Sequence, residues 1–289
     1  MRIGSDARGC DFAPAERVEG ALRATEHLSA DDQLVLIGDE RRIVEHLDST
    51  PDWERHIRID HAPQVIGGSE APVEAIRLKP DSSIVRMAEL AKTGEVDAII
   101  SAGNTGACVA ACQMRLRRLR GVHRPGIAIV LPTYAGPVVL IDVGANVNCR
   151  PNHLYQYALM ASVYSQYICG VSSPRIAVLS IGEEETKGTT LVKQAGELLR
   201  SDPRIDFVGN VEGRDLFHGA CDVVVTEAFV GNVALKLIEG LSEGLFRTLL
   251  HGIEQTRPEM SGQFREAVVD LQKRYDFNNY GGAPLLGIN

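Results

Sequence analysis

A strand, a tight glycine turn and the start of a helix follow one another in the stretch Asp97-Ala-Ile-Ile-Ser-Ala-Gly-Asn-Thr-Gly-Ala107. The first backbone N–H groups of a helix have no intrahelical partner and carry the positive end of the helix dipole. Because the side chains of residues 101–106 are small, an anion can approach these groups closely. The stretch therefore indicates an oxyanion site, such as one for phosphate. The alternative is an ordinary strand–helix turn in which Asn104 or Thr105 caps the helix.

Apolar runs alternate with helical patterns along the rest of the chain. Strand-like runs lie at residues 2–5, 33–38, 57–61, 98–100, 127–131, 137–142, 175–181, 205–208 and 222–226. Helical patterns lie at residues 14–28, 40–47, 81–94, 107–119, 151–164, 189–200, 231–253 and 259–274, and residues 64–80 read as a loop. The runs 127–131 and 137–142 predict an antiparallel hairpin. The remaining alternation predicts an α/β fold with a mostly parallel sheet covered by helices on both faces.

Composition limits the function classes. The 289 residues carry a net charge of −8, which argues against a general nucleic-acid binder. A local cluster of basic residues remains, formed by Arg115, Arg117, Arg118, Arg120 and Arg124. It is either a patch for an anionic partner or a solvated helix end. No apolar run approaches the roughly 20 residues of a membrane span. The first strand follows Met1 directly, so no signal peptide is expected.

Cysteine usage indicates a reducing compartment. The chain has six cysteines, none of them in a CxxC pair, and most stand in apolar surroundings. Small buried hydrophobic side chains are the expected role. We find no internal repeat, low-complexity tract or linker, so a single α/β domain over residues 1–289 is expected, with a helical hairpin at about 233–274.

Glycine and asparagine recur together where apolar runs end. The pairs are Gly103-Asn104, Gly144-Ala-Asn146, Gly209-Asn210 and Gly231-Asn232. The carboxyl ends of parallel strands lie along one edge of a sheet, and ligands of open α/β sheets bind in the crevice there. Four such pairs favour a shared polar cleft with close backbone approach and amide donors.

The loop Ile181-Gly-Glu-Glu-Glu-Thr-Lys-Gly188 is the most unusual in the chain, because three carboxylates precede Lys187 at a strand end. As a site, Lys187 would hold phosphate or polarise a carbonyl group. As a charge run, it would be a solvated acidic loop. Asp142 also ends a strand, and a carboxylate there either caps the next helix or serves a site; the same holds for Asp6 and Asp11, which flank the first turn.

Other common active-site patterns are missing from the sequence. There is no GxSxG elbow, no Ser-His-Asp set and no HExxH or other metal pattern among the eight histidines. No dinucleotide fingerprint follows the first strand, which argues against NAD. His218 is the best-placed histidine, and a lone histidine is usually structural.

Taken together, the motifs identify a family resemblance that spans the whole chain. The segments are Asp11-Phe-Ala-Pro14, Val35-Leu-Ile-Gly-Asp39, Lys79-Pro-Asp-Ser-Ser83, Ser101 to Ala107, Arg124-Pro125, Asp142-Val-Gly-Ala-Asn146, Ile181 to Gly188, Gly209-Asn-Val-Glu-Gly-Arg-Asp215, Phe229-Val-Gly-Asn232 and Tyr280-Gly-Gly-Ala-Pro284. In this set and order, the chain resembles the bacterial phosphate acyltransferases of phospholipid synthesis, the acyl-ACP:phosphate transacylases. Their first turn usually reads Asp-x-Met-Gly-Gly-Asp, whereas here it is Asp6-Ala-Arg8-Gly9-Cys10-Asp11. Family members also continue past Asn289 with another strand and helix, so the chain is either shortened or naturally short, and a missing strand near the cleft would weaken activity.

The resemblance implies a three-layer αβα sandwich similar to the isocitrate and isopropylmalate dehydrogenases, used without a nicotinamide, a metal or another cofactor. It implies a homodimer that transfers a long-chain acyl group from acyl-ACP to inorganic phosphate. The acyl carrier protein would be the acyl donor, and a downstream acyl-phosphate:glycerol-3-phosphate acyltransferase would consume the product. The expected location is the cytoplasm, with peripheral attachment at the inner face of the cell membrane as an option.

The resemblance also implies roles for individual residues. Lys187, Asn232 and Asp142 are the expected catalytic residues, with the first two near the reacting carbonyl. Substrate and phosphate would be bound by Ser101, Gly103, Asn104, Thr105, Gly106, Asn146, Gly182, Glu183, Thr186, Asn210 and Gly231. Which of Glu183, Glu184 and Glu185 faces the site stays open.

Three alternatives accompany this reading. The first concerns the hairpin, which has a wide apolar face formed by Leu235, Leu245, Phe246, Leu249, Leu250 and Ile253. This face would be buried in a dimer or core, lie on a membrane surface or bind the acyl chain. The competing enzyme is an acyl-CoA phosphotransferase of the phosphotransacetylase kind, acting on a small substrate. The competing non-enzyme is a catalytically silent membrane-surface scaffold for lipid enzymes.

Overall fold

The computed structural model describes residues 1–9, 12–48, 50–275, 280 and 282–289. The chain groups into two compact units, residues 1–119 with 288–289 and residues 120–287. They are called here the N-terminal and the C-terminal unit. Each unit has its own sheet. The expectation of one α/β domain stays a prediction, since two compact units can belong to one domain.

The N-terminal unit has a four-stranded, entirely parallel sheet in the order β3-β2-β1-β4. Its strands are β1 (Arg2–Asp6), β2 (Gln33–Gly38), β3 (Ile57–His61) and β4 (Ala98–Ile100). Its helices are α1 (Ala15–Ala24), α2 (Glu40–Leu47), α3 (Pro72–Leu78), α4 (Ser83–Thr93) and α5 (Thr105–Arg115). Two residues of the loop after β1, Cys10 and Asp11, lie outside the described residues.

Alternate residues of β2 bury against helices on opposite faces of this sheet. Leu34 and Leu36 pack with Val18 of α1 and Ile43 of α2, and their neighbours Val35 and Ile37 pack with residues of α4. Successive side chains of a strand point to opposite faces, so a continuous apolar run is what a strand covered on both sides requires.

The C-terminal unit has a six-stranded sheet in the order β10-β5-β6-β9-β7-β8. Its strands are β5 (Gly126–Thr133), β6 (Gly136–Ile141), β7 (Arg175–Leu179), β8 (Asp206–Val211), β9 (Val223–Val225) and β10 (Leu285–Leu286). Its helices are α6 (Pro151–Ile168), α7 (Thr190–Ser201), α8 (Ala228–Thr256) and α9 (Ser261–Arg274). The predicted hairpin is confirmed, because β5 and β6 pair antiparallel, while β6, β9, β7 and β8 pair parallel.

One face of this sheet carries the largest core cluster. Val130, Ile141, Val178 and Val225 from four strands pack against α6 and α7, with the fully buried ring of Tyr157 among them. In the region of the predicted helical hairpin, α8 and α9 pack on each other. None of the helices in the described part of the chain has the length and apolar character needed to cross a membrane.

Several predicted boundaries shift for identifiable reasons. α8 begins at Ala228 and not at Gly231, because the Glu227 carboxylate caps it by accepting bonds from the N–H groups of Phe229 and Val230. Residues 64–80 contain α3, which begins at Pro72, a residue suited to the first turn of a helix. α5 ends at Arg115, four residues before the predicted end.

The pair Gly209-Asn210 lies inside β8 and not after a strand, contrary to the prediction. Ala177 pairs with Gly209, whereas the residue before it, Ile176, pairs with Phe207, so Val208 is skipped. This irregularity is a β-bulge, and the positive φ of Gly209 (109°) suits a glycine at such a place.

Candidate functional site

The turn that follows β4 is tied to the end of β1 by a buried carboxylate. Asp6 is buried, and its Oδ2 accepts a bond from the Ser101 hydroxyl at 2.7 Å while its Oδ1 accepts from the Arg8 N–H at 3.0 Å. The Ser101 hydroxyl in turn accepts from the Gly103 N–H at 3.1 Å. A buried charge needs such partners, so Asp6 and Ser101 together define the shape of this turn.

Two turns of the N-terminal unit meet backbone to backbone at glycines. A Cβ on Gly9 would lie 2.8 Å from Cα of Gly103, and a Cβ on Gly103 would lie 2.9 Å from Cα of Gly9. A Cβ on Gly106 would lie 2.7 Å from Cγ of Pro72, at the start of α3. These glycines are thus required by close packing, whether or not the turn binds a ligand.

Asn104 has a structural role that the sequence analysis left as the alternative. Its Oδ1 accepts from the Ala107 N–H at 3.0 Å and so caps α5. Its Nδ2 lies within hydrogen-bonding distance of the carbonyl oxygens of Gly67 (3.0 Å), Gly68 (3.3 Å) and Glu70 (3.1 Å). The side chain of Asn104 therefore holds the 67–70 loop onto the helix start, and Thr105 begins the helix.

In the C-terminal unit, Asp142 organises the loop that follows β6. The side chain is fully buried, and its Oδ1 accepts from the N–H groups of Ile127 (3.1 Å), Gly144 (3.1 Å) and Ala145 (2.8 Å). Its Oδ2 accepts from the N–H of Asn146 (2.9 Å) and from its Nδ2 (3.1 Å). Both oxygens are occupied by protein donors, so the carboxylate positions the 142–146 loop.

Asn146 connects this loop to α6 and α8. Its Nδ2 also donates to the Pro125 carbonyl at 2.6 Å and to the Tyr157 hydroxyl at 2.8 Å, and its own carbonyl accepts from the Ala228 N–H at 3.0 Å. Burial raises the pKa of Tyr157 far above its ordinary value. Tyr157 is therefore neutral at physiological pH.

Cys149 lies next to this network and is not a strong nucleophile. Burial raises the pKa of its thiol to about 11, so the thiol is protonated near neutral pH. Cys112 and Cys221 are buried and Cys108, Cys149 and Cys169 are half-buried free thiols, while Cys10 lies outside the described residues.

The loop between β7 and α7 presents Lys187 to solvent. Lys187 is exposed, its N–H donates to the Glu184 carbonyl at 2.9 Å, and its stem lies over Gly182, where a Cβ would be 3.0 Å from its Cγ. Asn210 of β8 anchors the loop to the sheet, because its Nδ2 donates to the Glu184 carbonyl at 2.9 Å. Gly182, Lys187 and Asn210 thus belong to one loop region, and their role in a substrate site stays a prediction.

The acidic residues of this loop are exposed and two of them face arginines. Glu185 pairs with Arg200 at 2.7 Å, and Glu183 lies 4.0 Å from Arg214. Glu184 folds over Gly182, where a Cβ would be 2.8 Å from its Oε2. Thr186 is exposed beside them.

The start of α8 lies on the Asp142 loop. Gly231 is buried, and a Cβ there would overlap with the Asp142 carbonyl oxygen. Asn232, the next residue, is exposed. The structure thus joins Asp142, Asn146 and Gly231 in one packed group and leaves the Asn232 side chain on the surface.

A cavity of about 480 Å³ lies between these two groups in the C-terminal unit. Its lining comes from the loop after β6, α6, the ends of β7 and β9, and the starts of α7 and α8. The residues are Val147, Asn148, Cys149, Leu154, Leu179, Ser180, Ile181, Gly188, Thr189, Leu191, Val192, Thr226, Glu227 and Val230. Sequence reasoning missed Glu227 and Ser180. Glu227 was detectable as a helix-capping side chain, whereas nothing in the pattern marks Ser180.

The remaining predicted residues are placed as follows. Arg115 is half-buried and pairs with Glu89 at 3.1 Å, while Arg117 and Arg120 are exposed.

Over the described residues, no group of three or more His, Cys, Asp or Glu side chains is arranged to hold a metal ion. The expectation that the 101–106 turn shares a site with Lys187 stays a prediction.

Comparison with known proteins places the chain in a family. The sequence model of a family described as "Fatty acid synthesis protein" matches residues 1–289. The chain is 46% identical over 294 residues to the phosphate acyltransferase of Desulfitobacterium hafniense (strain DSM 10664 / DCB-2), covering 100% of this chain and 86% of that protein. It is 45% identical over 292 residues to the phosphate acyltransferase of Geobacillus sp. (strain WCH70), covering 100% and 87%.

Solved structures share the fold at low identity. A phosphotransacetylase from Streptococcus pyogenes superimposes with a TM-score of 0.62 at 17% identity, covering 84% of this chain and 82% of that chain. A branched-chain phosphotransacylase from Enterococcus faecalis V583 gives 0.55 at 17% identity, covering 82% and 83%. These likenesses confirm the predicted α/β fold with mostly parallel sheets. The full-length match and the high identity together confirm the predicted family: this chain belongs to the fatty acid synthesis protein family, among relatives named phosphate acyltransferases.

Proposed function

We propose that the protein transfers a long-chain fatty acyl group from the thioester of acyl carrier protein to inorganic phosphate, giving an acyl phosphate for phospholipid synthesis. The observation that carries the proposal is the apolar cavity at the carboxyl ends of β7 and β9, next to the loop that presents Lys187. An apolar cavity beside an exposed ammonium group suits a substrate with an apolar chain and a carbonyl that becomes an oxyanion.

The chemistry needs no covalent enzyme intermediate. A phosphate oxygen attacks the thioester carbonyl carbon, and a tetrahedral oxyanion forms. When the oxyanion collapses, the C–S bond breaks and the electron pair leaves with sulfur as the thiolate of the carrier, which then takes a proton from solvent. The weakly acidic thiol of Cys149 agrees with this direct transfer, because it is no activated nucleophile.

In this mechanism the protein supplies positioning and charge. Lys187 stabilises the oxyanion, and the Asn232 amide donates to the same oxygen. Asp142 is a positioning residue, since both its oxygens already bind N–H groups of the 142–146 loop. The Ser101–Gly106 turn binds phosphate through the N–H groups at the start of α5. Gly182, Glu183, Thr186 and Asn210 shape the Lys187 loop.

The carrier protein is the proposed macromolecular substrate. Exposed Arg117 and Arg120 belong to the arginine-rich segment 115–124 and suit an acidic partner. Arg115 is less available, because it pairs with Glu89.

We also propose that the protein is a homodimer in the cytoplasm that passes acyl phosphate to a downstream acyl-phosphate:glycerol-3-phosphate acyltransferase. The support for an interface is a stripe on α8, the residues Leu237, Leu241, Leu245 and Leu249, spaced one turn apart and each exposed. Such a stripe suits burial by a second copy, and the inner membrane surface is the alternative. The variant Leu241→Glu separates the two possibilities. If the stripe forms a dimer interface, equilibrium sedimentation of the variant shows loss of the dimer; if the stripe lies on a membrane, vesicle co-sedimentation of the variant is lost.

The function is tested by incubating the protein with palmitoyl-ACP and phosphate and trapping acyl phosphate with hydroxylamine. Release of palmitoyl hydroxamate that depends on phosphate supports the proposal. Turnover of acetyl- or butyryl-CoA with none of palmitoyl-ACP would favour a phosphotransacetylase instead. Absence of product from every thioester would favour the scaffold.

A further inference from the structure

The cavity of the C-terminal unit has the character of an apolar binding site. Its volume of about 480 Å³ lies within the range of roughly 300–1,000 Å³ that is usual for small-ligand sites. Leu154, Leu179, Leu191 and Val192 supply much of its wall. The cavity therefore offers a contiguous apolar surface at the strand ends.

The polar groups of the cavity are mostly engaged. Among its lining residues, Glu227 is the one charged side chain, and both its oxygens already accept N–H groups of α8. The Thr189 hydroxyl accepts from the Val192 N–H at 3.3 Å, and Cys149 donates to the Asn146 carbonyl at 3.3 Å. With no free charge to bind an anion, this cavity suits an apolar ligand better than phosphate.

One buried polar atom of the cavity lining lacks a partner. The Ser180 hydroxyl oxygen is buried and has no hydrogen-bond partner within the described residues. It belongs to the cavity lining, at the end of β7. A carbonyl or other acceptor at that end of the cavity would satisfy it.

The cavity rim is apolar and exposed. Ile181 is 82% exposed, and Val147 and Val230 are also exposed although all three line the cavity. Gly188 of the lining directly follows Lys187, and Val230 precedes Asn232 by two positions. The cavity thus adjoins both segments that carry the proposed catalytic side chains.

We propose that this cavity receives the acyl chain of the thioester substrate, with the carbonyl end toward Ser180 and the Lys187 loop. The inference rests on the proposed function. The competing location is a second cavity of about 530 Å³ beside α8, whose lining includes Leu131 of β5, Ile238 and Phe246 of α8, and Tyr275 after α9. Each methylene buried in the correct cavity contributes about fourfold in affinity, about 0.8 kcal/mol.

The test measures the ratio of kcat/KM for palmitoyl-ACP to that for hexanoyl-ACP. Val192→Trp fills the first cavity and Val230→Trp narrows its rim; each is expected to lower this ratio at least tenfold, because room for several methylene groups is lost. Val230 is exposed, so its variant decides the outcome if Val192→Trp fails to fold. The matched control, Ile238→Trp, fills the second cavity and should keep the ratio within about twofold of the wild type.

Two results would overturn the inference. One is an equal fall for both thioesters in the Val192 and Val230 variants, and the other is a changed ratio in Ile238→Trp alone. If the unmodified protein forms no acyl phosphate from either thioester, the proposed function itself fails, which is a separate result.

Discussion

Gly231 in the first turn of α8 lies directly against the backbone carbonyl of Asp142. A Cβ on Gly231 would overlap the carbonyl oxygen, and it would stand 2.9 Å from the carbonyl carbon and 3.0 Å from Cγ2 of Thr226. The helix that carries Asn232 is therefore seated on the loop that the Asp142 carboxylate organises.

Gly231→Ala is expected to lower the free energy of unfolding by at least about 2 kcal/mol, since the added methyl group has no space against backbone atoms. Urea denaturation measures it. Gly240→Ala, also in α8, is the control: nothing lies within 4 Å of its Cβ position, so alanine should stabilise the protein by about 0.5–1 kcal/mol. Equal effects of the two variants would contradict the packing argument.

Lys187→Ala is expected to lower kcat/KM for palmitoyl-ACP by about 100-fold, as is common when one oxyanion-stabilising group is removed. The thermal midpoint should change little, because Lys187 is exposed. Lys193→Ala, an exposed lysine of α7, serves as the control and should retain wild-type turnover. Undiminished activity of the Lys187 variant would remove this residue from the mechanism.

Ser101→Ala is expected to raise KM for phosphate about tenfold or more and to cost about 1–3 kcal/mol of stability, because buried Asp6 loses its 2.7 Å partner. The phosphate dependence of hydroxamate formation gives KM. Ser201→Ala is the control. The Ser201 hydroxyl donates to the Leu198 carbonyl at an exposed helix end, so its loss should leave KM for phosphate the same. If KM is unchanged in the Ser101 variant, the turn does not hold phosphate.

Arg117→Gln and Arg120→Gln are each expected to raise KM for acyl-ACP severalfold at low salt and less at 0.5 M salt, since ions screen exposed charges. Steady-state kinetics at the two salt concentrations provide the measurement. Arg41→Gln, an exposed arginine of α2 that lies 3.6 Å from Glu45, is the control. A salt-independent effect would argue against electrostatic docking.

The ion pair of Arg2 with Asp97 predicts a pH dependence. Hydrogen bonds from the Arg2 side chain and N–H lower the pKa of Asp97 to about 2, below the ordinary value of about 3.9. A carboxylate with a lowered pKa stabilises the fold above its unfolded-state pKa, and this stability is lost as the pH falls from about 4 to 2.

The stability difference between the wild type and Asp97→Asn should accordingly shrink over that interval in urea titrations. Arg2→Gln is the matched background, in which the Asp97 substitution should show a much weaker pH dependence. A difference that stays constant from pH 5 to pH 2 would contradict the assignment.

Much of the fold was predictable from local pattern. The continuous apolar run 33–38 predicted a strand buried on both faces, and β2 packs on both. The helical pattern at 40–47 was correct, and the preceding Asp39, a residue type typical of helix caps, accepts from the Arg42 N–H at 3.3 Å. These predictions succeed because strand periodicity and helix caps depend on neighbours in sequence.

The site was less predictable, because its contacts join distant segments. Gly-Asn pairs looked alike in sequence, yet Gly209 forms a β-bulge, Asn104 caps α5 and Gly231 packs on Asp142. Likewise, Asp142 read equally as a helix cap or a site residue, and it proved to bind the N–H groups of its own loop.

The amino-acid sequence by itself determined the α/β class, the β5–β6 hairpin and the family, since periodicity, turn residues and motif order express them locally. Only the tertiary structure decided which polar side chains are engaged in hydrogen bonds within the protein and where an apolar cavity remains. The physical reason is that burial and hydrogen-bond satisfaction depend on partners brought together by folding, as Asn210 meets the carbonyl of Glu184 and Gly231 that of Asp142.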